Sequence, residues 1–248
     1  FQLSVSGRTA TLRVQGREVE LREGQWSDWI PLEFRLGALQ LRKVPAITRV
    51  VWWRDGERVN LYVSPLNFDP AKPFFAISHP DGYAAELRNA VGPYHTRGMP
   101  YDTHAVNDGA LPEDAFLAQW ETIVREREAM LDYELARFKG GVLAVYFEAP
   151  DVAQHMYWRA IDPEHPMYSA DTAKRFGHVI PDCYERMDAI LGRTLEAAGR
   201  RAAVAVLSDH GFASFRTAVH LNSVLRELGY LALRDGGRTS PEMLKNVQ

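Results

Sequence analysis

The sequence predicts an α/β protein in which an inserted module rich in β-strands precedes part of a parallel-sheet core. Residues 1–68 contain closely spaced runs that alternate in polarity or are β-branched. Two continuous apolar runs, at 141–148 and 202–208, are each followed by a helical pattern. The order strand, helix, strand, helix is typical of a parallel sheet, whereas the first region favours antiparallel pairing.

The composition narrows the function classes. Hydrophobic residues make up 46% and charged residues 25% of the 248 positions, as in an ordinary globular protein. No apolar run reaches the ~18 residues of a membrane span, and a net charge of −3 predicts no nucleic-acid-binding surface. Cys183 is the single cysteine, which excludes an internal disulfide and a thiolate metal cluster. Localisation, whether extracytoplasmic or cytoplasmic, and oligomeric state stay open.

The β-rich module is predicted to cover residues 1–68. Seven strand candidates, several separated by glycine-bearing turns, lie at 3–7, 10–16, 17–24, 29–37, 39–44, 47–56 and 58–66. Four tryptophans, Trp26, Trp29, Trp52 and Trp53, are expected to pack the faces of this module. The alternative is a platform on which a carbohydrate or another flat group stacks.

Residues 69–139 are interpreted as a loop and helical return segment. A short helix is predicted near 82–91 and an amphipathic helix at 111–138, with an apolar stripe that includes Phe116, Trp120 and Ile123. Long irregular connections are uncommon unless they line a site. Three histidines of this segment therefore have two open interpretations, the substrate entrance or plain loop positions: His79, His95 and His104.

Residues 140–248 are interpreted as part of the α/β metal-binding core. The expected elements are the strands at 141–148 and 202–208, a helix at 168–199 with a kink near Pro181, a helix at 221–229 and a short strand at 230–233.

Acidic and imidazole side chains follow both predicted strands. Asp151 and His155 are four residues apart, so a helix would place them on one face. Asp209 and His210 directly follow the second strand, and His220 comes ten residues later. Because the carboxyl ends of parallel strands meet at one sheet edge, these groups could converge on a cation. Asp and His sets suit zinc, and manganese less tightly.

Each motif also has a plain structural interpretation. An Asp and a His four residues apart are common on a solvated helix face, an Asp–His pair after a strand can cap a helix, and a His at a helix start is often exposed. Gly211, which follows His210, is expected to permit a backbone conformation that a β-carbon would resist.

The segments YFEAPDVAQH and LSDHGF, with a further His ten residues on, resemble the alkaline phosphatase superfamily. They are most similar to its type I phosphodiesterase/nucleotide pyrophosphatase branch and to related microbial phosphohydrolases and phosphomutases. The resemblance implies an alkaline-phosphatase-like core and two divalent metal ions, usually Zn²⁺ with Mn²⁺ as the alternative, beside a Thr or Ser nucleophile. It implies that Asp151, His155 and His220 hold one metal and that Asp209 and His210 hold the other.

Two departures from the family pattern shape the prediction. Gln154 stands where many phosphodiesterase relatives have Gly, and together with Trp158 it is more similar to the microbial group. The family's first metal-binding Asp and its nucleophile precede the inserted module, but no buried strand ending in Asp-Gly and leading to a Thr-bearing helix occurs before residue 140. Asp55–Gly56 and Asp81–Gly82 lie in hairpin and loop contexts. The chain is therefore expected to be an internal fragment, inactive alone, with its nucleophile upstream.

The resemblance implies metal-dependent hydrolysis of a small phosphate ester, whether a phosphodiester, a pyrophosphate or a monoester. Phosphomutase or sulfatase-type transfer is the alternative within the superfamily. A non-catalytic binding module, with a structural metal or none, is the alternative from another class. Five potential ligands around open positions favour catalysis, because a closed structural site needs only four.

Overall fold

The β-rich region is built from three small antiparallel sheets. In the computed structural model, which describes residues 1–37, 42–214 and 216–232, the sheet orders are β1-β2-β3, β4-β5-β8 and β6-β7. The strand bounds are β1 Gln2–Ser6, β2 Thr9–Val14, β3 Arg17–Arg22, β4 Ile30–Leu36, β5 Arg42–Thr48, β6 Val50–Asp55, β7 Arg58–Val63 and β8 Asn67–Phe68. All seven predicted strands are confirmed within a few residues, except that residues 38–41 lie outside the described part, and β8 is an addition.

Tight turns explain why these strands pair with their sequence neighbours. β6 and β7 run antiparallel with Asp55 opposite Arg58, so only two residues connect them. Gly56, the first of the two, has φ +59, a left-handed conformation that glycine adopts without steric cost. The Asp55–Gly56 pair is therefore a hairpin corner, as predicted.

The remaining elements are helical; the predicted helices are present with one correction, and the short helix at Thr103–Asn107 is an addition. The bounds are α1 Tyr83–Val91, α2 Thr103–Asn107, α3 Glu113–Arg137, α4 Ala149–Ile161, α5 Ala170–Phe176, α6 Val179–Ala198, a 3₁₀ turn at Gly199–Arg201, and α7 Leu221–Glu227. The predicted helix at 168–199 is two helices, and its break lies at Gly177–His178. Pro181 falls in the first turn of α6, where its missing N–H breaks no intrahelical bond.

Strand β6 borders two apolar cores. Val50 and Trp52 pack with the β-rich residues Leu12 and Leu21, whereas Val51 joins a core formed mainly by α3, α4 and α6. Alternate residues of a strand point to opposite faces, which explains how one strand serves both cores. Residues 1–68 are thus packed against the helices rather than separate from them.

The tryptophans of the β-rich region pack as predicted. Trp52 is fully buried, and Trp53 packs partly buried against the helical core. The indole of Trp26 donates a hydrogen bond to the carbonyl of Ala115 at 2.8 Å, and Trp29 lies edge-on to His95. These contacts account for all four rings and favour packing over a stacking platform.

The two predicted parallel strands are not confirmed. Within the described residues, 142–148 and 203–208 form no strand, and Val142, Tyr146, Val206 and Leu207 are largely exposed. A continuous apolar run predicts a strand covered on both faces, but it does not supply the neighbouring strands that the ladder requires. The described residues are therefore mixed α and β, with antiparallel pairing throughout.

Two further observations complete the fold. Tyr230–Ala232 form no strand, contrary to the prediction for 230–233, and Leu233 lies outside the described residues. None of the helices in the described part of the chain has the length and apolar character needed to cross a lipid bilayer.

Candidate metal centre

Helix α4 places Asp151 and His155 side by side. Pro150 and Asp151 lie in its first turn, where a fixed φ and a negative charge both suit a helix start. One turn later, His155 Nε2 lies 3.4 Å from Asp151 Oδ1. The predicted i, i+4 geometry is therefore confirmed.

The segment after residue 208 brings a second imidazole to the same carboxylate oxygen. His210 Nε2 lies 3.7 Å from Asp151 Oδ1 and 3.8 Å from Asp209 Oδ2. His210 therefore stands next to Asp151, with Asp209 on its other side, although 59 positions separate Asp151 from His210 in the sequence. We call Asp151, His155, Asp209 and His210 the Asp/His cluster.

The oxygen at the centre of this cluster lacks a conventional partner. Asp151 Oδ1 is buried from solvent and accepts no hydrogen bond from any group in the described part of the chain. A buried carboxylate oxygen without a donor is costly, because it has lost its hydration and gained nothing in exchange. A cation between this oxygen and the imidazole nitrogens would remove that cost.

The hydrogen bonds of His210 orient its ring. Its Nδ1 lies 2.9 Å from the carbonyl of Gly211, so Nδ1–H donates there, and in the neutral ring the lone pair is on Nε2, which faces Asp151. The Gly211 carbonyl, and after it Asp209, raises the pKa of His210 above its ordinary value. The same negative surroundings that stabilise a proton on this ring would stabilise a bound metal ion.

Gly211 itself is not required by its backbone. Its φ lies outside the left-handed region, and a β-carbon built there meets no atom of the described chain within 4 Å. The expectation that glycine is needed at this position for steric reasons is therefore wrong in this structure.

The side chains of the Asp/His cluster are chemically suited to a divalent metal. Only pairs of them, however, lie at distances that suit two ligands of one ion. Bonds of 2.0–2.2 Å to a tetrahedral ion place two ligands about 3.3–3.6 Å apart, close to both Asp151–imidazole distances. Across residues 1–37, 42–214 and 216–232, however, no group of three or more His, Cys, Asp or Glu side chains is arranged to hold one ion.

His220 does not join this cluster in the structure. It precedes α7, is exposed, and forms no ion pair within 4.0 Å with an acidic group of the described chain. Its assignment as third ligand beside Asp151 and His155 stays a prediction.

Glu148, which directly precedes α4, is paired with Arg127 of α3. It is 5% exposed, and its carboxylate accepts hydrogen bonds from the guanidinium of Arg127 at 3.0 and 3.2 Å. It anchors the start of α4 to α3 rather than contacting an imidazole.

The three loop-region histidines have different environments. His79 and His104 are exposed. His95 is 4% exposed, with Nδ1 2.8 Å from Glu126 Oε2 and its ring against Trp29. His95 is therefore buried by packing, and the substrate-entrance interpretation of these histidines stays a prediction.

Sequence reasoning missed a group of residues that hold the 208–216 segment against α4. Phe212 packs on His155 and Trp158, while Ser214 and Arg216 contact Asp162. No local signal in the sequence marks these residues, because their partners on and just after α4 lie more than 50 positions away.

Comparison with known proteins identifies the family. The family model described as type I phosphodiesterase / nucleotide pyrophosphatase matches residues 47–247, a range that contains all five predicted ligands. A search of curated proteins and a search of solved structures each gave no match. Because the match covers most of the sequence, the chain belongs to the type I phosphodiesterase/nucleotide pyrophosphatase family, within the alkaline phosphatase superfamily.

Proposed function

We propose that this chain supplies metal ligands to a two-metal site that hydrolyses a phosphate ester. The family is generally one of hydrolytic enzymes that act on phosphodiester or pyrophosphate bonds and use divalent metals. That membership favours catalysis over a binding module and hydrolysis over phosphomutase or sulfatase-type transfer. The proposed substrate is a small phosphodiester or pyrophosphate.

One observation carries the proposal. The buried oxygen of Asp151, without a hydrogen-bond donor in the described chain, faces two imidazole nitrogens at 3.4 and 3.7 Å. A carboxylate oxygen without a binding role would normally be hydrated by solvent or would accept a hydrogen bond from a protein donor. Carboxylate oxygens and imidazole nitrogens are donors that Zn²⁺ accepts, and here they adjoin each other in pairs, as two neighbouring metal positions would require.

The residues have distinct proposed roles. Asp151 and His155 hold one ion with His220, and Asp209 and His210 hold the other. The Nδ1–H of His210 donates to the Gly211 carbonyl, which keeps Nε2 free to bind. When bound, the two ions would bind the phosphate oxygens and neutralise the charge that develops on them. The nucleophile is a Thr or Ser that we place outside residues 1–248, ahead of the β-rich region, and the core is completed as an alkaline-phosphatase-like parallel sheet.

Metal titration of the chain with and without His155 tests the site. His155→Ala removes one ligand of a sparse set, so we expect loss of most of one equivalent of Zn²⁺. The imidazole is 62% exposed, so the free energy of unfolding should change by less than about 0.5 kcal/mol. His104→Ala, also at an exposed helical histidine, is the matched control. Unchanged metal stoichiometry in His155→Ala would exclude His155 as a ligand.

A hydrolysis assay tests the position of the nucleophile. Residues 1–248, loaded with Zn²⁺ or Mn²⁺, should not turn over an activated aryl phosphodiester or monoester. The reason is that no Thr or Ser before residue 140 follows a buried strand that ends in Asp-Gly, the context expected of the nucleophile. Measurable turnover that Asp151→Asn abolishes would place the nucleophile within this chain and overturn that part of the proposal.

A further inference from the structure

The segment that follows the second ligand pair is fixed to α4 at points beyond the ligands themselves. Phe212 lies edge-on to His155, with ring centroids 4.8 Å apart and an interplanar angle of 82°. Its other neighbour is Trp158, at 5.2 Å and 32°. One aromatic side chain from the segment therefore contacts both a predicted ligand and the next turn of the helix.

A polar contact fixes the same segment at the far end of α4. Arg216 Nη2 lies 3.1 Å from Asp162 Oδ2, and Arg216 Nη1 lies 2.5 Å from Glu164 Oε2. Ser214 Oγ also donates to Asp162 Oδ2. The Asp162 side chain is only 14% exposed, and its position just after α4 makes it a fixed anchor.

The contacts occur in the same order along the segment and along α4. Along α4, Asp162 lies eleven positions after Asp151, a rise of about 16 Å. On the segment, Arg216 lies six positions after His210, and six positions of chain can reach at most about 20 Å, which is enough to extend from Asp151 to Asp162. His210 meets Asp151 at the start of the helix and Arg216 meets Asp162 at its end, so the segment runs along α4 in the same direction.

We infer that Phe212 and Arg216, acting on Trp158 and Asp162, are positioning residues that hold His210 beside Asp151 before any metal binds. The inference rests on the proposed two-metal function, because holding His210 in place matters only if His210 binds a metal ion. Without them, Asp209 and His210 would follow an exposed run, 203–208, that has no strand partner in the described chain. The approach of His210 to Asp151 would then depend on one weak, solvent-exposed contact.

The consequence for metal binding follows from preorganisation. A ligand that is already in place loses less conformational entropy when the ion binds. Residues that orient metal ligands typically change metal affinity by about 10–100-fold when they are mutated. Phe212 and Arg216 should therefore affect affinity although neither supplies a donor atom to the ion.

Zn²⁺ affinity and aromatic NOEs in the metal-free chain together test this inference. Arg216→Met should weaken Zn²⁺ binding by about 10-fold and abolish the NOEs between the rings of Phe212 and Trp158. Phe212→Leu, which removes the aromatic contact instead of the ion pair, should weaken binding similarly. Arg193→Met is the matched control, because Arg193 and Arg216 are each 46% exposed and each has two acidic neighbours. The control should change neither signal.

The two readouts separate this inference from the proposed function. If Arg216→Met, folded as judged by its thermal unfolding, keeps both the affinity and the NOEs, the positioning role is wrong while the metal site stands. If it loses the NOEs but binds Zn²⁺ with unchanged affinity, Arg216 holds the Phe212 segment against α4 but this packing does not affect metal binding. That result also overturns the inference. If the parent chain binds no Zn²⁺, the proposed function itself fails, whatever the NOEs show.

Discussion

The strand β6 and the run at 203–208 have similar apolar sequences and opposite environments. In β6, Val50, Val51 and Trp52 are fully buried, whereas Val206 and Leu207 are 73% and 89% exposed. β6 obtains its hydrogen-bonding partner from β7 through a two-residue turn. The other run would need partners distant in sequence, and the described residues provide none. Apolar character therefore specifies which segment can become a buried strand, while the availability of a neighbour decides whether it does.

The largest expected effect is in β6. Trp52→Ala removes a fully buried ring from the β-rich core and should lower the free energy of unfolding by about 3–5 kcal/mol. Urea denaturation measures this change. A loss below about 1 kcal/mol would mean that this core contributes little to the stability of the chain.

An intermediate effect is expected at the buried ion pair that joins α3 to the start of α4. Arg127→Met leaves the Glu148 carboxylate, 6% exposed, without its cationic partner, so unfolding should become easier by about 3 kcal/mol. The control is Arg13→Met, which breaks the surface pair with Glu18 and should cost less than about 1 kcal/mol. If both variants lost the same free energy of unfolding, the buried Arg127–Glu148 pair would contribute no more to stability than the exposed Arg13–Glu18 pair.

The smallest effect is expected in the exposed run. Leu207→Ala should change the free energy of unfolding by less than about 0.5 kcal/mol, because the side chain is already in solvent. A loss of 2 kcal/mol or more would show that 203–208 is a buried strand in solution, and the comparison with β6 would fail.

The same distinction explains what the sequence could predict. Hairpin strands and amphipathic helices were located because their patterns are local, as with Phe116, Trp120 and Ile123, all buried on α3. The helix breaks at Gly177–His178 and not near Pro181, where the sequence predicts a kink. A proline in the first turn of a helix removes no intrahelical hydrogen bond, so Pro181 does not interrupt α6. The parallel strands depend on distant partners, which periodicity does not describe.

For the candidate site, the sequence identified residue types and one geometry. The Asp151–His155 pair follows from helical spacing alone, and it is present. The approach of His210 to Asp151 depends on Phe212 and Arg216 packing against α4, contacts that no local pattern encodes. The place of His220, the domain boundaries and the substrate stay predictions.

The position of β6 between two cores has a consequence for local opening. Because Val51 faces the helices while Val50 and Trp52 face the small sheets, separating either layer exposes apolar surface on the same strand. The backbone amides of β6 should therefore exchange with deuterium only through global unfolding, at a free energy equal to that of the whole chain. The β-rich layer and the helical layer would then unfold as one cooperative unit, so a mutation that destabilises the β-rich layer would also speed amide exchange in α4.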